Sequence, residues 1–187
     1  MVNTENYLCI KVFTHVPDLR SKRLHFINSN PDILEKILEG NEALARFLHI
    51  TVPEKWSEFG HEPFLFAKKQ LNNDPSSAPW WSWLPILKDE NLLIGNCGYK
   101  GPPTEGMVEI GYEVIPSYRG IGLATEIAAV LADNAFNHPE VNKVIAHTLA
   151  EENASCKVLR KCGFKFVTEI TDPDDGLVWE WQLNREL

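Results

Sequence analysis

The stretch Tyr118-Arg119-Gly120-Ile121-Gly122-Leu123-Ala124-Thr125-Glu126 constrains the fold more than any other part of the chain. It follows a strand candidate, MVEIGYEVI (107–115), through Pro116 and Ser117, and runs into the alanine-rich segment 120–136. There Leu123, Ile127 and Leu131 recur at four-residue spacing, the stripe of an amphipathic helix. The first N–H groups of a helix have no internal partner, and the helix dipole adds positive charge at the same end. Gly120 and Gly122 lack the Cβ that would hold an anion away, and Arg119 adds a full positive charge. These are the parts of a phosphate cradle. The simpler use of the two glycines is a sharp corner.

Patterning along the rest of the chain places this unit in an α/β (α+β) fold with one mixed, mostly antiparallel sheet. RLHFIN (22–27) alternates as a strand, and Asn30-Pro31-Asp32 starts a helix that Gly40 stops. NEALARFL (41–48) reads as a second helix, and 54–72 as helical in part, broken around Gly60 and Pro63. After a loop at 73–79, the segments 80–87, 91–99 and 107–115 form an antiparallel meander. Strand 142–150, helix 153–162 and a closing hairpin, 164–170 with 177–183, complete the order. Alternation from Trp80 sends Trp81 and Trp83 to one face and Trp80 to the other. No repeat or linker divides the chain, so 1–187 reads as a single domain with an irregular lead-in at 1–17.

Composition narrows the function. A net charge of −8 without a basic run argues against nucleic acid, and no apolar stretch has the length of a membrane span. The N-terminus lacks a signal-peptide pattern, which predicts a cytoplasmic protein. Cys9, Cys97, Cys156 and Cys162 form no C-x-x-C pair and no zinc-ligand spacing, so no metal is expected. An acidic chain that binds an anion must do so through a local device such as the glycine turn. A dinucleotide fingerprint needs a third glycine where Thr125 stands, and its acidic residue at the end of the next strand, whereas Glu140 precedes that strand. The Gly-Lys-Ser/Thr of a nucleotide-binding P-loop is absent.

Arg119-x-x-Gly122-x-Ala124 resembles the Q/R-x-x-G-x-G/A signature of the GNAT superfamily of acyl-CoA N-acyltransferases. EIGYEVIPSYRGIGLATE and HTLAEENASCKVLRKCGF are similar to its RimJ/RimL-type branch of ribosomal-protein N-terminal acetyltransferases, as is LRSKRLHF. The resemblance runs from about residue 19 to the end. It implies the GNAT fold, in which strands 107–115 and 142–149 splay apart and hold the pantetheine arm of acetyl-CoA. Backbone groups of Glu113 and Val114 would pair with pantetheine. Arg119 and the amides of Gly120, Ile121, Gly122, Leu123, Ala124 and Thr125 would hold the pyrophosphate. The implied activity is acetyl transfer to a primary amine, a protein N-terminus or a small amine, by direct transfer in a ternary complex. A monomer or homodimer is expected. The rival is a non-catalytic CoA-binding module of the same fold.

Transfer needs a neutral amine, and α-amino groups titrate near 7.7–8.0, so they ask little of a base. His147 stands where many GNAT members keep a catalytic glutamate; its near-neutral titration suits a general base, while a histidine held inside the sheet is the plainer reading. Glu109 and Glu113 share a face of the other splayed strand, and Glu109 is the second candidate base. Ser155 matches the branch's N-x-x-S serine and is the candidate partner of the CoA sulfur. Leu159 occupies the position of the tyrosine acid common among relatives. Asn153 lies one residue away from the branch's asparagine; it is a cofactor-binding candidate whose safer role is helix capping.

Overall fold

The computed structural model describes residues 18–173 and 176–186. The lead-in expected at 1–17 lies outside them, as do Cys9 and the tip of the closing turn. Among the described residues eight strands form one sheet: β1 (Leu24–Asn28), β2 (Ser82–Leu87), β3 (Leu92–Leu93), β4 (Gly95–Tyr99), β5 (Met107–Val114), β6 (Lys143–Leu149), β7 (Lys165–Asp172) and β8 (Gly176–Asn184). Their order is β1-β2-β4-β5-β6-β8-β7, with β3 pairing β2. Every pairing is antiparallel except β5 with β6.

The helices are α1 (Pro31–Glu39), α2 (Asn41–Leu48), α3 (Glu62–Asn73), α4 (Leu123–Phe136) and α5 (Ala154–Lys161). Among the described residues none is long and apolar enough to cross a membrane. Asn30 caps α1 by accepting from the Ile33 N–H at 2.9 Å, as its position before Pro31 predicts. Pro63 does not break a helix; it lies in the first turn of α3, where proline costs no hydrogen bond. The expected loop at 73–79 is largely a 3₁₀ turn, Pro75–Trp80.

Two apolar cores flank the sheet. Trp83, Ile110, Val114 and Trp181 pack on one face with Leu123, Ile127 and Leu131 of α4 and Leu159 of α5. Leu84 and Ile86 face the other way, against Leu34, Leu44 and Phe64 of α1–α3. The 3₁₀ turn changes the tryptophan alternation: Trp80 joins Trp83 on the α4 side, and Trp81 goes to the α1–α3 side. Trp80, Trp81, Trp83 and Trp181 are buried, as core residues.

The expected strand 91–99 is two strands, divided at Ile94. Gly95 has φ of 151°, and a Cβ there would lie 2.1 Å from the Glu113 carbonyl oxygen, so the close approach of β4 to β5 requires glycine. β5 and β6 pair only at Met107–Lys143, Val108–Val144 and Glu109–Ile145. Beyond that point each strand continues without the other. This is the splay that the family resemblance implies, and α4 and α5 come next in the chain after its two arms.

Candidate active site

The arms of the splay present different edges. The Ile115 N–H donates to Ile94 O at 2.9 Å and the Lys100 N–H to Glu109 O at 3.0 Å, so odd-numbered residues of β5 turn their backbone toward β4. Glu113, opposite Asn96, is therefore engaged with β4, and the expectation that its backbone serves pantetheine is corrected. Tyr112 and Val114 are the residues whose backbone groups face the gap. The Val114 carbonyl accepts from Arg119 Nε at 2.7 Å.

Helix α4 begins at Leu123, three residues into the segment 120–136 read as helical from the sequence. Gly120 and Gly122 adopt φ of 80° and 88°, in the left-handed region, and Gly122 caps the helix without any side-chain acceptor. A Cβ at Gly120 would meet nothing within 4 Å, and at Gly122 the nearest atom is Arg23 Nη2, 3.5 Å away. The mouth of α4 is open. Arg23, which sequence reasoning missed, holds this loop from its carbonyl side. Its Nη2 donates to Ile121 O at 3.0 Å and its Nε to Glu126 Oε1 at 2.6 Å. Ser21 Oγ donates to Glu126 Oε2 at 2.6 Å. Tied in this way, the Ile121 carbonyl faces Arg23.

Residues 55–58 lie across the outer end of the gap. Ser57 Oγ and the Glu58 N–H donate to the two Glu113 carboxylate oxygens at 2.8 and 2.7 Å. Burial holds the Glu113 carboxyl above its ordinary range against these donors. The Glu58 carboxylate pairs with Arg119. Lys55, Trp56, Val114, Pro116 and Arg119 line a cavity of about 350 Å³ here.

Glu109 and Glu113 share a face, yet four residues of strand separate them by about 13 Å, and they do different things. At the vertex Glu109 Oε1 accepts from His147 Nδ1 at 2.9 Å and from Lys100 Nζ at 2.6 Å. Burial pushes Glu109 up, but its hydrogen bonds from His147 and Lys100 win and hold it below the usual carboxylate range. An ionised carboxylate can only accept, so Nδ1 carries the hydrogen and the neutral ring has its lone pair on Nε2. Nε2 is shielded from solvent and makes no hydrogen bond; Glu180 Oε2 lies 3.7 Å away. The hydrogen bond to Glu109 raises His147 above its ordinary value, with burial opposing. Lys100 and Glu180 carry no local sequence signal, because each reaches the vertex only by strand pairing.

On the second arm Asn153 Oδ1 accepts from the Cys156 N–H at 3.1 Å, so the capping role is the one observed. Ser155 is half-buried in the first turn of α5. Leu159 is 1% exposed and packed in the core, so α5 brings no phenol to the gap. Among the described residues no group of His, Cys, Asp and Glu has the arrangement of a metal site.

A sheet splayed at one parallel pair, with an open glycine-led helix mouth beyond it, defines an acyl-CoA-type transferase scaffold. The chain belongs to the GNAT acetyltransferase domain family, whose model matches residues 23–165. It is similar to YjdG, an uncharacterized N-acetyltransferase of Bacillus subtilis (strain 168), with 34% identity over 104 residues, 55% of this chain and 62% of the relative. Matches to the curated relatives span from 46% to 62% of their lengths. Among solved structures, the ribosomal-protein-S5-alanine acetyltransferase of Vibrio fischeri superposes with a TM-score of 0.65 at 15% identity, covering 90% of this chain and 96% of that one. RimL, a ribosomal L7/L12 alpha-N-protein acetyltransferase in complex with coenzyme A, gives 0.61 at 14% identity over 90% and 97%. These likenesses fix the fold.

Proposed function

We propose that the protein is an acetyl-CoA-dependent N-acetyltransferase that transfers the acetyl group directly to a primary amine, a protein N-terminus or a small amine. The observation that carries this reading is the alignment along one gap of an open anion mouth, Gly120–Thr125, and a carboxylate–imidazole pair at the vertex. Gly120 and Gly122 leave room for a diphosphate, and Arg119 stands beside them. The backbone of Tyr112 and Val114 offers the strand edge for an extended pantetheine arm, as an added strand would use it.

The acceptor enters from the α1–α3 side, where His147 and Glu109 lie. Glu109 fixes the ring through Nδ1, and the Nε2 lone pair takes the ammonium proton through one bridging water. Glu180, 3.7 Å from Nε2, then faces an imidazolium and stabilises it. A weakly basic α-amine lies closer to an imidazole in proton affinity than a lysine does, and so suits this base better. The names of the structural neighbours, which include acetyltransferases of ribosomal-protein N-termini, point the same way.

The test is release of free CoA thiol from acetyl-CoA across a panel of N-terminal peptides and small amines. Turnover with an α-amine supports the reading. Tight CoA binding with no turnover on any amine identifies a non-catalytic CoA-binding module instead.

A further inference from the structure

We propose that Tyr112 is a further catalytic residue of this transfer, its hydroxyl donating a hydrogen bond to the thioester sulfur as it departs. The proposal rests on the acetyltransferase reading. Tyr112 belongs to β5, whereas Ser155 belongs to the helix that follows β6. The two arms are unpaired here, so a Tyr112 side chain that meets the first turn of α5 spans the gap between them. Its Oη is closed off from solvent and makes no well-formed hydrogen bond. Ser155 is the hydroxyl close enough to act on it, and Cys156 and Cys162 are the other polar neighbours. A buried hydroxyl without an acceptor is costly and calls for a reason. The CoA sulfur supplies one, a weak acceptor at rest and a strong one as the thiolate that forms during turnover.

Sulfur fits that acceptor. The amine nitrogen bonds to the acetyl carbon, the C–S bond breaks, and its electron pair goes to sulfur. The amine proton passes to His147 and on to solvent, and the thiolate collects its own proton from solvent on release. A donor aimed at the developing charge lowers the barrier selectively in the transition state. Burial holds the phenol well above its ordinary value, so it remains a donor throughout the working pH range. Leu159 lies in the core, so α5 supplies no phenol here.

The experiment is Tyr112→Phe, assayed for turnover and, by calorimetry, for binding of CoA against desulfo-CoA. The expected kcat falls about 100-fold, as for loss of one preorganised donor, while KM for both substrates stays within twofold. The wild type favours CoA over desulfo-CoA, and the variant loses that preference. A kcat within twofold of wild type, or an intact preference, overturns the proposal. Removing an unpartnered hydroxyl leaves the fold at least as stable, so the variant should melt no lower. Should it misfold, 3,5-difluorotyrosine at 112 keeps the shape with a more acidic hydroxyl. The alkaline limb of kcat then moves to lower pH, and an unmoved limb overturns the idea. If the wild type itself turns over no amine, the acetyltransferase reading fails, and the desulfo-CoA comparison still reads the hydroxyl–sulfur contact.

Discussion

Glu58 occupies the arginine that the proposed diphosphate site needs, so Glu58→Gln should strengthen CoA binding. The side chains of Arg119 and Glu58 are 50% and 60% exposed. An ion pair so exposed contributes about 0.2–1 kcal/mol. At about 1.4 kcal/mol per tenfold, releasing Arg119 tightens CoA by at most about fivefold. Arg119→Ala has the opposite sign: it removes a charged donor worth about 1.5–3 kcal/mol, or about 10- to 150-fold in Kd. Salt screens the exposed pair, so the gain in Glu58→Gln shrinks toward nothing in 0.5 M salt on the order of a 4 Å Debye length. Titration calorimetry with CoA at low and high salt reads all three effects. Weaker binding in Glu58→Gln at low salt, together with an unchanged Kd in Arg119→Ala, would refute the placement of the diphosphate beside Arg119.

The vertex makes a pH prediction. Glu109 raises His147, so the neutral base accumulates only above that raised value, and kcat/KM climbs through it on the acid side. Glu109→Gln removes the main cause, and the acid limb moves to lower pH; a limb that stays put contradicts the pairing. His147→Ala lowers kcat by about 10²- to 10⁴-fold, read in the same thiol assay. For stability, a raised His147 contributes fully below its ordinary 6.5 and loses that contribution as pH climbs through the raised value. A depressed Glu109 contributes above its ordinary 4.5 and loses it as pH falls through the lowered value. Thermal melts should therefore show the largest Glu109→Gln penalty between pH 4.5 and 6.5. Leu159→Tyr adds bulk to a core position and should cost about 1–3 kcal/mol without raising kcat, as melting and turnover measured together will show.

Local chemistry made the glycine mouth, the Asn30 and Asn153 caps and the order of elements legible in the sequence. These features depend on residues within a few positions of one another. Sequence and structure part where a backbone dihedral or a distant partner decides the outcome. Positive φ at Gly120 and Gly122 delays α4 to Leu123, where the apolar stripe itself begins, and not at 120. The 3₁₀ turn at Pro75–Trp80 shifts the phase of the tryptophans, which strand alternation alone assigns to the wrong faces. Glu113 was legible as a gap-strand residue, but only the pairing with Asn96 says which edge its backbone serves. Glu180, Lys100, Ser57 and Arg23 enter the site across strand pairs or loops, so no window of sequence shows them.

The central claim is that free amides at the start of α4 hold the diphosphate of CoA. Calorimetric titration with CoA and, separately, with pantetheine, which lacks the diphosphate, tests it most directly. The account predicts measurable binding of CoA and at least a roughly 100-fold weaker response to pantetheine, in line with the loss of several charge-assisted hydrogen bonds. Equal affinity for the two, or no heat with CoA, contradicts it.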